Sequence, residues 1–341
     1  MKFLRKILFP FAILYGFITG FRNFLFDCGI LKSYSFPIPV IVVGNLSVGG
    51  TGKTPQIEYL IRLLSDQYNV ATLSRGYKRK SEGFILANEN SDAEILGDEP
   101  YQFYKKFPNI QVAVDADRKN GIEQLLSQTK KPDIILLDDA FQHRKVKADF
   151  YIMLTTYHDL FFNDFILPTG NLRESRSGAK RANIIIVTKC PTTISDANIN
   201  QIEKSISAYN KDASIYFSTI QYDDKVYSND NFLNVADVKN QQKLLIAGIA
   251  KPESFLIFIK SDDDECLVFP DHHHFSEEDC TKISNISSDK IIVTTEKDFV
   301  RLTNKIDNKK LYYLPIKIQF FKKSKEFDYE ILRFISAKKS V

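Results

Sequence analysis

Val40-Ile41-Val42-Val43-Gly44-Asn45-Leu46-Ser47-Val48-Gly49-Gly50-Thr51-Gly52-Lys53-Thr54-Pro55 is the stretch that decides the fold. An apolar, β-branched run opens into a glycine-rich turn, then Gly-Lys-Thr, then the helix-compatible residues 56–64. Such a strand–loop–helix binds phosphate, because loop N–H groups point at phosphate oxygens and the helix N-terminus adds positive partial charge. Ser47, Val48, Gly49, Gly50, Thr51, Gly52, Lys53 and Thr54 are therefore the expected nucleotide-binding loop. Lys53 is placed to reach the β- and γ-phosphates, and the Thr54 hydroxyl to ligate Mg²⁺. Pro55 falls in the first helical turn, where a missing N–H costs little. Ser47 stands where the loop consensus has Gly.

Working outward, Val70–Leu73 reads as a strand running into Ser74-Arg75-Gly76-Tyr77. Arg75 sits at a strand's C-terminal end, where open α/β sheets bind ligands, although a solvated basic loop has the same composition. Gly97-Asp98-Glu99-Pro100 starts a helix, and two acids there also complement a helix dipole without any other role. Four apolar residues ending in Asp138-Asp139 form a Walker B-like strand, whose edge delivers a carboxylate for Mg²⁺ opposite Thr54. Gln142 and His143 follow closely enough to face the same crevice. The loop 155–180 is long for a compact domain, which points to function or disorder, and its Arg173 is a phosphate clamp by charge. From about Thr192 the chain turns polar and then restarts an α/β pattern with strands at 243–247 and 291–294.

The expected architecture is a P-loop NTPase-like α/β/α sandwich with a second, smaller α/β domain and an N-terminal apolar, membrane-associated helix. The divisions are residues 1–33, 34–190 and 191–341. Residues 7–21 carry no charge and are flanked by Lys2, Arg5, Lys6 and Arg22. That run is shorter than the roughly 20 residues a spanning helix needs, and it lacks a small-residue cleavage site. An interfacial anchor is the favoured reading, over a buried helix or a single span.

With 341 residues, 26% charged residues and a net charge of +4, the chain is an ordinary globular protein, too mildly basic to argue for nucleic acid. Its four cysteines, Cys28, Cys190, Cys266 and Cys280, are far apart, against a zinc site or disulfide framework. Three histidines adjoin at 272–274. A loop with one imidazole engaging an active-site carboxylate is favoured over a metal cluster or a merely solvated loop.

The chain resembles the tetraacyldisaccharide 4′-kinase (lipid A 4′-kinase) family of Gram-negative bacteria. The resemblance runs nearly end to end, through the N-terminal helix, the residue 44–55 loop, Ser74-Arg75-Gly76-Tyr77 and Gly97-Asp98-Glu99-Pro100. It continues through Asp138-Asp139-Ala140-Phe141-Gln142-His143-Arg144, Leu167-Pro168-Thr169-Gly170-Asn171-Leu172-Arg173-Glu174 and Gly248-Ile249-Ala250. Phe269-Pro270-Asp271-His272-His273 and Thr294-Thr295-Glu296-Lys297-Asp298 complete it. The family carries a hydroxyl residue at the position of Ser47. Two departures are Ala140, where many members have Gly, and Thr155-Thr156, where the strand usually ends in Asp.

The resemblance implies transfer of the γ-phosphoryl of ATP to the 4′-hydroxyl of a tetraacyl disaccharide 1-phosphate, with ATP and Mg²⁺ as cofactors. It implies Asp98 as base, supported by an imidazole for which His272 is first choice. Thr54, Glu99 and Asp138 would surround Mg²⁺, with Asp139 adjacent. Lys53 and Arg173 would neutralise the transferred phosphoryl. Arg75, Gln142 and His143 are the expected acceptor-binding residues. The partners implied are the lipid disaccharide and the inner-membrane surface, at its cytoplasmic face; no protein partner is named. A membrane-associated P-loop GTPase or nucleotide switch is the alternative, although Thr188-Lys189-Cys190-Pro191 lacks the Asp of a guanine-reading element.

Overall fold

The computed structural model describes residue 5 and residues 7–271, 273–303, 305–307 and 309–339. The β-branched run at 40–43 forms β1 (Val40–Asn45), buried along its whole length, as a strand covered on both faces must be. It is followed by β2 (Val70–Ser74), β3 (Ile85–Leu86), β4 (Gln111–Val114), β5 (Ile134–Asp138), β6 (Phe150–Thr156), β7 (Ile184–Thr188) and β8 (Ser214–Tyr222). The chain continues with β9 (Lys225–Tyr227), β10 (Phe232–Asn234), β11 (Lys243–Ala247), β12 (Glu265–Val268), β13 (Ile291–Thr295), β14 (Leu311–Leu314) and β15 (Ile316–Phe320).

Among the described residues these strands make two sheets, ordered β15-β8-β7-β6-β1-β5-β2-β4-β3 and β10-β9-β14-β13-β11-β12. In the larger sheet β1 lies between β5 and β6, all parallel, with Val43 opposite Asp138 and Asn45 opposite Leu154. That register sets the start of the phosphate loop beside the acidic strand end. The C-terminal ends of β1, β2, β5 and β7 thus line one crevice, where open α/β sheets hold their ligands.

Alternation along the strands divides the core between the two faces. Val40, Val42, Ile135 and Leu137 pack with Ile122, Leu125 and Ile206 on one side. Ile41, Val43, Ile134 and Leu136 pack with Ile57, Leu60, Phe327, Ile331 and Ile335 on the other. The second group includes the C-terminal helix Ser324–Lys339, which lies beside the phosphate-loop helix Lys53–Leu64; Tyr59 Oη donates to Asp328 Oδ1 at 2.8 Å.

This corrects the expected division at 190/191. β8 pairs in parallel with β7, and β15 returns to pair antiparallel with β8. The larger unit therefore takes in residues 196–222 and 316–339, and the smaller sheet is inserted between them at 225–314. The polar composition after Thr192 marks the exposed face of the helix Asp196–Ser207, not a boundary. The N-terminal helix, Phe9–Asp27, also outruns the uncharged stretch, because Arg22 and Asn23 find polar partners on the protein.

Ile331 is fully buried between the phosphate-loop helix and the sheet. Ile331→Ala is expected to destabilise the chain by about 2–5 kcal/mol. Urea unfolding followed by circular dichroism checks it; an unchanged midpoint would mean that the C-terminal helix is not part of this core.

Candidate active site

Gly52, at φ 91°, turns the loop into the first turn of its helix, and Gly49 adopts φ 112°; both conformations favour glycine. Lys53 Nζ reaches back to 3.5 Å from Asn45 Oδ1 and 3.6 Å from Asp139 Oδ2. Arg173 meets the same carboxylate from the long loop, with Nη2 at 2.7 Å from Oδ1 and Nη1 at 3.3 Å from Oδ2. Its Nη2 also donates to the Asn45 carbonyl at 2.9 Å. Lysine and arginine thus share one carboxylate at the mouth of the phosphate loop.

The two adjacent acids are driven apart electrostatically. Burial, repulsion from Asp139 and the charge of Glu99 push the Asp138 carboxyl up to about 6, with Lys53 and Arg118 opposing. Burial works to raise Asp139 as well, but Lys53 and Arg173 hold it below the ordinary carboxylate value. Asp139 adopts φ 47°, left-handed backbone that a β-strand does not use, at the point where β5 ends. Ser74 Oγ lies 3.5 Å from Asp138 Oδ2, whereas Asp138 Oδ1 is buried with no hydrogen-bond partner among the described residues.

Two expected site segments meet through their glycines. A Cβ on Gly97 (φ 91°) would lie 3.2 Å from Gly76 Cα and from the Tyr77 carbonyl. The loop after β2 therefore packs directly on the turn that carries Asp98 and Glu99. Arg75 is exposed in that loop, and its charge is felt by Arg118. Across the cleft, Arg301 Nη2 and Nε contact Asp98 Oδ2 at 2.5 and 3.0 Å, and Lys297 Nζ lies 2.6 Å from Glu99 Oε1. Thr54 stands in the helix's first turn beside Lys53.

The histidine loop is only partly in view. His272 lies outside the described residues. His273 stacks on Phe269 at 4.6 Å and bonds Asp279 Oδ2 at 2.9 Å, so it belongs to the cap of the helix Glu277–Ile286. Gln142, expected to touch the acceptor, has its amide engaged inward, donating to the Asn45 carbonyl and Glu174 Oε1, each at 2.9 Å.

Several residues to which the motifs assign no role also shape the site. Buried Arg118 donates to the Asp138 carbonyl at 3.4 Å and to the Asp115 carbonyl at 3.0 Å. Its signal was a cation in a helix's first turn, against the dipole. Asn45 is fully buried and its side-chain amide donates to the Ser47 carbonyl at 2.7 Å, bracing the loop from within. Lys189 Nζ donates to the Gly50 carbonyl at 2.7 Å. Buried Glu174 accepts from Asn23 (2.8 Å), Gln142 (2.9 Å) and Arg181 (2.7 Å), while Tyr15 Oη donates to the Arg173 carbonyl at 3.1 Å. The N-terminal helix is thereby seated on the loop that presents Arg173. At the end of β6, where the family's strand usually has Asp, Thr155 Oγ1 accepts the Phe161 N–H at 3.0 Å and anchors the loop.

His143 is the residue whose protonation this arrangement controls. Burial and the charge of Arg118 pull its imidazole down to about 4, and its Nε2 is buried without a partner among the described residues. A group depressed on folding leaves more protons on the unfolded chain between pH 4 and 6.5, so stability rises with pH across that window. Acidification from pH 6.5 to 4 is expected to cost at most roughly 3 kcal/mol through this group. Thermal unfolding of His143→Asn should show a shallower acid limb than the native chain; identical limbs would contradict it.

Comparison with known proteins agrees with this geometry. The family described as Tetraacyldisaccharide-1-P 4′-kinase matches residues 4–336. The chain is 69% identical to the tetraacyldisaccharide 4′-kinase of Flavobacterium psychrophilum over 99% of this chain and 98% of that protein. It is 45% identical to the enzyme of that name from Bacteroides thetaiotaomicron, over 97% of this chain and 93% of the relative. A crystal structure of LpxK from Aquifex aeolicus in complex with ATP superposes with a TM-score of 0.77 at 31% identity, covering 97% of this chain and 99% of the other. With a phosphate loop, a paired acidic strand end and this likeness along nearly its whole length, the chain belongs to the tetraacyldisaccharide-1-phosphate 4′-kinase family.

Proposed function

We infer that this chain transfers the γ-phosphoryl group of ATP to the 4′-hydroxyl of a tetraacyl disaccharide 1-phosphate, forming lipid IV-A in lipid A biosynthesis. The observation that carries this reading is the Asp139 carboxylate held between Lys53 and Arg173 at the phosphate loop, in a member of that family. The nucleotide-switch alternative has no use for Asp98 or the histidine segment and is not favoured.

In the proposed mechanism residues 47–54 hold the phosphates, with Lys53 and Arg173 offsetting charge on the transferred group. Preorganised cations at that point carry most of the catalysis in such reactions. The buried Asp138 Oδ1, without a hydrogen-bond partner among the described residues, suits a hard cation together with the nearby charge of Glu99, and Thr54 adds a hydroxyl oxygen. Bound there, Mg²⁺ would neutralise charge on the β- and γ-phosphates. The acceptor O4′ bonds to Pγ as the bond from Pγ to the ADP oxygen breaks, and the hydroxyl proton passes to Asp98. An imidazole of the 271–274 segment, His272 first, would support that carboxylate. Arg75 and His143 are assigned to the acceptor, with Gln142 bracing the loop beneath it.

We assign the N-terminal helix to the membrane surface on the cytoplasmic face. It is 19 residues long, with a mean hydropathy of 1.3 over its most apolar 18 residues. Phe9, Phe11, Phe17, Phe21 and Phe24 are exposed on it, while Tyr15, Arg22 and Asn23 bond the protein. Polar bonding along one side and bare phenylalanines on the other favour a helix lying in the interface over one leaving the protein to span it.

Labelled γ-phosphate transfer in mixed micelles tests the reaction and its base. Asp98→Ala is expected to lower kcat by about 10²–10⁴-fold; transfer surviving the substitution would overturn the base, and no transfer by the native chain would overturn the kinase. Replacing Phe17 and Phe21 by Ser should weaken sedimentation with phospholipid vesicles, and unchanged sedimentation would remove the helix from that role.

A further inference from the structure

Helix Glu296–Leu302 follows β13 directly, and its i,i+4 spacing puts Lys297 and Arg301 on one face. That face meets Asp98 and Glu99 of the larger unit, Arg301 on Asp98 and Lys297 on Glu99. The arginine is braced from behind. Its Nη1 lies 3.1 Å from Asp298 Oδ1 and 3.4 Å from the Gly248 carbonyl. Asp298 is fully buried and itself accepts from the Gly248 N–H (2.8 Å) and Thr295 Oγ1 (2.7 Å). A Cβ on Gly248 would lie 2.8 Å from Asp298 Oδ1, so the loop after β11 needs glycine to close on this carboxylate.

The guanidinium is therefore fixed on one edge by its own unit and presents another to Asp98. With side chains only 9% and 22% exposed, this pair is not a solvated surface bridge whose rupture costs little. A planar fork held this way fixes the direction of the carboxylate it grips, which a flexible ammonium would not do. Catalysis by a base depends on that direction, since a displacement of about 1 Å costs about 10²-fold.

We propose that Arg301 is a positioning residue for phosphoryl transfer: through Asp98 Oδ2 it aims the carboxylate that receives the acceptor's proton. The smaller unit in this way orients the base of the larger one. The proposal rests on the reading of Asp98 as base.

The test is a double-mutant cycle on the full chain in mixed micelles: native, Arg301→Gln, Asp98→Ala and the double variant, with binding of a fluorescent ATP analogue measured alongside. Arg301→Gln is expected to lower kcat about ten- to a hundredfold, leave affinity for the ATP analogue within about twofold, and have no further effect once Asp98 is Ala. Arg301→Lys should recover part of the rate. An equal loss in both backgrounds, an unchanged kcat, or a loss of nucleotide binding that accounts for the rate would overturn the proposal. Should Arg301→Gln fail to fold, Arg301→Lys enters the same cycle, where a loss of kcat confined to the Asp98 background supports the proposal and any other pattern overturns it. If Asp98→Ala keeps native transfer the base reading fails; if it loses transfer and Arg301 is neutral or additive, only this proposal fails.

Discussion

Two carboxylates on adjacent residues at the end of one buried strand are an electrostatic problem, and the site is arranged around its solution. Asp139 is neutralised by Lys53 and Arg173, while Asp138 is left in a buried position where its own ionisation is disfavoured. Each half of that solution draws on a different part of the chain. Lys53 comes from the phosphate loop, Arg173 from the long loop after β6, and Arg118 from the helix after β4. Asn45 ties them together, since its side chain and carbonyl meet Lys53, Arg173 and Gln142 at once.

The same logic of charge against charge joins the two units. Glu58, on the phosphate-loop helix, is buried and bonded to Lys106 and Gln102. Lys106 also bridges to Glu296, where burial and the charge of Glu58 raise the carboxyl. A few residues along, Lys297 and Arg301 reach Glu99 and Asp98. One short helix of the smaller unit therefore touches the core of the larger one at its first turn and the candidate base at its last.

Legibility of the sequence follows from how local each signal is. The phosphate loop, the acidic strand end and the parallel strands from 40 to 188 were readable, because hydrophobic runs and glycine punctuation act within a few residues. The return of β15 to β8 was not, because pairing between residues about a hundred apart leaves no local mark on either strand. Arg301 and Glu174 stayed hidden for a related reason. A charged residue on a helix or loop looks solvated until the fold shows the opposite charge waiting for it. Of the adjacent histidines, His273 caps a helix and packs on Phe269, while His272, the imidazole expected at the site, lies outside the described residues.

The insertion of the smaller sheet between β8 and β15 has a consequence for how the protein is made. The inserted unit is complete once residue 314 has emerged from the ribosome, but the larger sheet still lacks an edge strand, and the phosphate-loop helix still lacks its covering of Phe327, Ile331 and Ile335. The part that binds nucleotide is begun first and finished last. A polypeptide that has not yet reached residues 316–339 therefore holds a phosphate loop whose supporting core has not closed.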